Sequence, residues 1–132
     1  MTNRATPARI LVVEDEAMLA MVLETMLTDF GCAVVLAAKI DQALAMIETA
    51  GALDAAVLDV NLKGQKSYPV ADALVARGVP FAFTTGYEKD SLQNGYRSFP
   101  VLQKPFRQQE LGHMLTKLLM PEERGALLSS DG

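Results

Sequence analysis

Glu14-Asp15, Asp59, Thr85 and Lys104 are four widely separated acidic, hydroxyl and basic signals, and each falls where a short apolar run ends. Arg9 to Val13 runs into the acidic triplet Glu14-Asp15-Glu16, and Ala55 to Leu58 into Asp59. Val79 to Phe83 ends on the paired hydroxyls Thr84-Thr85 before Gly86, and Val101 to Gln103 on Lys104 before Pro105. Brought together, two or three carboxylates with little positive charge nearby form a hard oxygen site. Such a site suits a divalent ion such as Mg²⁺, held by one or two side chains, water and a phosphate oxygen. Asp59 could then act as a nucleophile toward a phosphoryl group, with the metal offsetting repulsion between the carboxylate and the incoming anion. A transferring phosphoryl group spreads charge over three equatorial oxygens and needs a donor at each. Lys104 offers an ammonium, Thr85 a hydroxyl, and the metal the third contact.

Those positions become one site only if the runs that carry them are strands of one parallel sheet. Each run is short, apolar and bounded by turn residues, as a buried strand is. Pro105 cannot donate to a sheet ladder and closes the last one. Between the runs lie helical patterns. Ala17 to Phe30 carries Met18, Leu19, Val22, Leu23, Met26, Leu27 and Phe30 at one-face spacing, with Gly31 as a C-cap. Lys39 to Ala50 repeats the pattern through Ile40, Ala43, Leu44 and Ile47; Val70 to Arg77 is shorter and stops at Gly78. Arg107 to Leu119 presents Leu111, Met114, Leu115 and Leu118 before Pro121. A fourth slot, Asp90 to Ser98, is poor because Asn94 and Gly95 interrupt it, and reads as a single turn or a loop. Strand–helix alternation implies a mostly parallel, doubly wound α/β sheet with helices on both faces, since right-handed crossovers return each strand parallel to the last. Open sheets of this kind bind ligands at the carboxyl ends of their strands, where all four signals lie.

Composition narrows the function. With 132 residues the chain is one domain, expected to span 9–120, with tails at 1–8 and 121–132. Half the residues are apolar, yet no stretch approaches the ~20 needed to span a bilayer, and no leader pattern opens the chain, so a cytoplasmic protein is expected. Cys32 is the single cysteine, which excludes an internal disulfide and reads as a small buried thiol. A net charge of −4 with no Lys/Arg stripe argues against nucleic-acid binding.

Glu14-Asp15 after strand one, Asp59 after strand three, Thr85-Gly86 after strand four and Lys104-Pro105-Phe106 after strand five together closely resemble the receiver domain of two-component response regulators. The resemblance covers roughly residues 8 to 120. It implies a flavodoxin-like (CheY-like) five-stranded sheet of order 2-1-3-4-5. It implies Asp59 as the phosphoacceptor, Thr85 as the switch hydroxyl and Lys104 as the partner of the phosphoryl oxygens. The implied Mg²⁺ set is Asp15 and Asp59 by side chain, the Asn61 carbonyl, and Glu14 through water. The implied partners are a sensor histidine kinase or histidine phosphotransfer protein and a downstream protein target. The chain would be a phosphoacceptor signalling protein rather than an enzyme. Phe83-Thr84-Thr85-Gly86-Tyr87 also resembles the Phe-Ala-Thr-Gly-aromatic subgroup of stand-alone receivers, with Thr84 in place of alanine. The family often has an aromatic residue three before the lysine; here Val101 stands there.

The competing readings are a pseudo-receiver that never takes phosphate and acts as a protein-binding module, and a flavin-binding or hydrolytic enzyme on the same sheet. The acidic triplet would repel a flavin phosphate, and a two-aspartate phosphatase would want an acid where Asn61 stands. Several residues are expected to be structural. His113 shares a polar helix face with Glu110 and Lys117. Met18, Met26 and Met114 belong to core faces. Tyr87 and Tyr96 are either contact residues or half-buried anchors. With no effector region following Lys104-Pro105, output is expected by protein contact.

Overall fold

The computed structural model describes residues 6–86, 92–93 and 95–120. Its parallel strands are β1 (Arg9–Val13), β2 (Ala33–Ala37), β3 (Ala55–Asp59), β6 (Phe81–Thr85) and β7 (Val101–Gln103). The chain also forms a two-stranded hairpin, β4 (Asn61–Leu62) and β5 (Gln65–Lys66), and helices α1 (Ala17–Asp29), α2 (Ile40–Thr49), α3 (Tyr68–Ala76) and α4 (Gln108–Leu119). The sheet runs β2-β1-β3-β6-β7, all pairs parallel. This is the expected 2-1-3-4-5 order, with the numbers displaced only because the hairpin is counted.

Period-two alternation within continuously apolar strands assigns each side chain to one of two layers. Leu11, Val13, Ala56, Leu58, Phe81 and Phe83 face one core, closed by Ala43 and Ile47 of α2 and by Val70, Ala71 and Leu74 of α3. Ile10, Val12, Ala55, Val57, Ala82 and Leu102 face the other, closed by Leu23 and Leu27 of α1 and by Leu111, Leu115 and Leu118 of α4. Burying both faces of the strands is what fixes register: a one-residue slip would exchange the two layers. No helix among the described residues is long and apolar enough to cross a membrane.

Two expectations are corrected, and one element is new. Met18 is 73% exposed rather than core. At about 100° per residue it sits roughly 140° around α1 from Leu23, whereas Leu19, Met26 and Leu27 fall within about 60°; Met26 and Met114 do pack on the core. Cys32 is half-buried rather than enclosed. The β4–β5 hairpin was not foreseen. Its strands are two residues each, and Lys63 and Gly64 at its tip have φ of 51° and 84°, the paired positive angles of a tight hairpin turn.

The weak slot at 90–98 is not a helix among its described residues: Gly95–Ser98 form turns, and Asp90, Ser91 and Asn94 lie outside the described residues. Gly31 follows α1 with φ +86°, as a C-cap requires. His113 is exposed, as expected of a polar-face residue.

Ser67 stands at the N-cap of α3, but its side chain makes no capping bond, and its Oγ is buried without a partner among the described residues. A capping serine replaced by alanine usually costs about 1 kcal/mol. Here there is no cap bond to lose, and a buried unpaired hydroxyl carries a penalty of about 1–3 kcal/mol. Ser67→Ala should therefore raise unfolding free energy by about 1 kcal/mol. Urea denaturation checks this; a loss of similar size would mean the hydroxyl does cap.

Candidate functional site

The carboxyl ends of β1, β3, β6 and β7 share one edge of the sheet. Glu14 follows β1 and its amide continues the ladder to Ala37 O at 2.9 Å. Asp59 closes β3 opposite Thr84, and Thr85 closes β6 opposite Gln103. Lys104 follows β7, tied by its own N–H to Thr85 O at 2.8 Å, and its bond to Pro105 is cis.

Four of the sequence-derived side chains meet here. Glu14, Asp15 and Asp59 each offer one carboxylate oxygen, and these three atoms lie within 4.8 Å of one another. Glu14 and Asp59 are buried and Asp15 is partly exposed. Lys104 reaches across from β7: its Nζ donates to Asp59 Oδ2 at 2.8 Å and to Glu14 Oε1 at 3.2 Å. The second oxygens are also engaged. Glu14 Oε2 accepts the Glu16 N–H at 3.1 Å, and Asp59 Oδ1 accepts the Asn61 N–H at 3.2 Å. Thr85 is buried beside this group at 3% exposure, and Thr84 is equally enclosed within the strand.

The electrostatics follow from that count. Among the described residues, three carboxylates face one ammonium, leaving a formal charge of −2. Burial disfavours the charge on Lys104, but two carboxylates favour it, Asp59 most strongly, and its pKa ends above the ordinary lysine range. Glu14 goes up as well: burial is the largest cause, and Asp59 adds repulsion. The Glu16 amide and Lys104 offset only part of this. The edge is thus short of positive charge. Its donor set, hard carboxylate oxygens with one lysine, fits a divalent cation of the Mg²⁺ kind. The residues that would hold it are Glu14, Asp15 and Asp59, with Asn61 two residues further along the chain and its N–H bonded to Asp59.

The raised pKa of Glu14 has a defined sign for stability. The folded state binds the Glu14 proton more tightly than the unfolded chain does, so this group's contribution is fully present below the ordinary glutamate pKa and is lost as pH rises through the raised one. In chelator, Glu14→Gln should therefore melt higher than the wild type at neutral pH, and the gap should close as pH falls through the ordinary glutamate range. Melting curves taken from pH 4 to 8 read it; a lower melting temperature for the variant at neutral pH would show that the Lys104 pair outweighs burial.

What the sequence did not reveal is that Lys104 pairs directly with both acids, because that contact joins residues 90 and 45 positions apart. Nor did it reveal a ring cluster beside the site. Tyr68 at the start of α3 stacks on Tyr96 at 4.1 Å and meets Phe83 edge-on at 6.1 Å. Tyr96 is therefore a half-buried anchor; Tyr87 lies outside the described residues.

A family model described as the response regulator receiver domain matches residues 10–116. The solution structure of SdrG from Sphingomonas melonis Fr1 is 45% identical, with TM-score 0.77, covering 88% of this chain and 99% of that one. A second SdrG structure, in the BeF3-activated conformation, has the same identity and coverage and a TM-score of 0.74. The receiver domain of the sensor histidine kinase PA1611 from Pseudomonas aeruginosa PAO1, with a magnesium ion coordinated in its active site cleft, is 28% identical over 86% of this chain and 98% of that one, with TM-score 0.74. No curated protein matches the chain.

Proposed function

This chain belongs to the response regulator receiver family, and we propose that residues 9–120 are a receiver domain that accepts a phosphoryl group on Asp59. The donor is a phosphohistidine on a sensor kinase or histidine phosphotransfer protein. The protein acts in the cytoplasm and passes its signal on by protein contact. The observation that carries this reading is the position of Asp59: 7% exposed, 2.8 Å from the Lys104 ammonium, and within ligand distance of Glu14 and Asp15. The 45% identity to SdrG, seen also in a BeF3-activated form, and the magnesium in the cleft of PA1611 support carrying the same chemistry to these residues. The Phe83-Thr84-Thr85-Gly86-Tyr87 motif supports placing the chain with the Phe-Ala-Thr-Gly-aromatic receivers.

In the step we propose, an Asp59 carboxylate oxygen forms a bond to phosphorus as the P–N bond of the phosphohistidine breaks, its electron pair returning to the imidazole. An acyl phosphate results. Asp15, Asp59 and the Asn61 carbonyl, with Glu14 through water, would hold Mg²⁺, which would supply charge neutralisation. Lys104 turns from Asp59 to a phosphoryl oxygen, and the Thr85 hydroxyl donates to another. The protein itself contributes placement and electrostatics and turns over no separate substrate.

Incubation with acetyl phosphate and Mg²⁺ tests the reading by intact mass. The expected result is a gain of one phosphoryl group that is lost in acid and never appears in chelator. A chain that gains none, and gains none from a panel of phosphorylated kinases, would instead be a binding module of the same fold.

A further inference from the structure

The connection from β6 to β7 has described residues at Leu92, Gln93 and Gly95–Pro100. Within it, several hydrogen bonds are local: Tyr96 N–H to Gln93 O, Phe99 N–H to Tyr96 O, and Arg97 Nε to Leu92 O. Among the described residues, two polar ties join it to α3. The Gln93 N–H donates to Tyr68 Oη, and the Tyr96 hydroxyl donates to Asp72 Oδ1, each at 2.9 Å. The two phenols are themselves stacked, with ring planes 14° from parallel. The acidic partner at Asp72 makes the second bond charge-assisted.

That contact is linked to the phosphoacceptor strand through Ser67 and Val60, and to β6 through the ring of Phe83. Val60, next to Asp59, donates its N–H to Thr84 O at 3.0 Å and accepts the Ser67 N–H at 2.9 Å; Ser67 directly precedes Tyr68. Phe83, two residues before Thr85, packs its ring against both Tyr68 at 6.1 Å and Tyr96 at 6.4 Å. At the joint lies the orphaned Ser67 hydroxyl, fully buried and without a partner among the described residues. An unsatisfied buried group at the start of α3 marks a place where a second arrangement can gain a hydrogen bond that the first lacks.

We propose that Tyr68, Tyr96 and Asp72 form a latch that holds Gln93 and Gly95–Phe99 against α3 in the resting protein and opens when Asp59 carries a phosphoryl group. The latch rests on the phosphoacceptor reading for its trigger, and on the geometry above for its existence. Because coupling between two sites is reciprocal, whatever the phosphoryl group must spend to open the latch is also withheld from its own binding. Weakening the latch should then make the site easier to fill.

Tyr96→Phe deletes the bond to Asp72 while keeping the ring, and the full chain is compared with the wild type by amide hydrogen exchange. In the free protein, Gln93, Tyr96 and Phe99 amides should exchange about three- to tenfold faster together, as expected for one lost hydrogen bond. Gln93 is the telling amide, since its own acceptor on Tyr68 is untouched. Beryllofluoride with Mg²⁺ should raise exchange at the same amides in the wild type, and should bind Tyr96→Phe about threefold or more tighter. Unchanged exchange at Gln93 in the free variant overturns the latch. Faster exchange with equal beryllofluoride affinity overturns its coupling to Asp59. A wild type that takes up no beryllofluoride overturns the phosphoacceptor reading and the trigger with it, while the free-protein exchange still decides whether the latch exists.

Discussion

Asp59→Asn is expected to reduce acid-labile phosphate incorporation to background, with the fold retained. The substitution removes the nucleophilic oxygen charge but keeps a carbonyl oxygen of nearly the same shape, able to accept from Lys104 Nζ or the Asn61 N–H that now bond the carboxylate at 2.8 and 3.2 Å. The other acids are poor substitutes for distinct reasons. Glu14 is 3% exposed and both its oxygens are engaged, by Lys104 and the Glu16 amide. Its raised pKa also makes it a reluctant anion. Asp15 is more open, but Lys104 is bonded to Glu14 and Asp59, so a phosphoryl group on Asp15 would lack that ammonium. Labelling with acetyl phosphate, followed by intact mass before and after acid treatment, measures the outcome. Incorporation in Asp59→Asn at the wild-type level would end the assignment.

How far the sequence carried this description depended on the range of the interaction that fixed each feature. The strands were legible because both faces are covered, so their residues form unbroken apolar runs bounded by turn residues. Helices α2 and α4 were legible for the complementary reason, one apolar stripe at a 3.6 period. In α1 the stripe was read too wide: Met18 and Val22 are 73% and 44% exposed, and their apolar character extends the pattern beyond the face that packs. The β4–β5 hairpin left almost no apolar signal, since Gln65 and Lys66 are both exposed and only the Lys63-Gly64 turn announces it. The site residues were legible as strand ends, because a parallel sheet collects its carboxyl ends whatever lies between them. Their resting pairing was not. Whether Lys104 lies on Asp59, on Glu14 or in solvent depends on where β7 sits in the sheet, and only the tertiary structure shows it bridging both. The same holds for Tyr96, whose partners Tyr68 and Asp72 belong to a helix 28 and 24 positions away.

Mg²⁺ should stabilise the protein, and the size of the effect should change in opposite directions when different charges at the site are removed. In the metal-free protein, Glu14, Asp15 and Asp59 are balanced, among the described residues, by Lys104 alone. A cation that binds the folded site and not the unfolded chain adds RT ln(1 + [L]/Kd), about 2.7 kcal/mol at a hundredfold excess over Kd. For a domain of this size that raises the melting temperature by roughly 10 °C. Sodium chloride at matched ionic strength should give much less, because screening acts on exposed charges more than on this half-buried group. Asp15→Asn removes a proposed ligand and one negative charge, so it should lose most of the Mg²⁺-dependent shift. Lys104→Met does the reverse. It leaves three carboxylates with no internal cation, lowering stability in chelator by about 2 kcal/mol, less than the 3–5 kcal/mol of a fully buried broken pair because the site is partly solvated. The same loss removes a competitor for the metal, so Mg²⁺ should stabilise Lys104→Met more than the wild type. Thermal melts in chelator and in rising Mg²⁺ decide the matter. Equal Mg²⁺ shifts in wild type, Asp15→Asn and Lys104→Met would mean that the cation acts on general surface charge, and the acidic edge would have to be read as a lysine-neutralised cluster without a metal role.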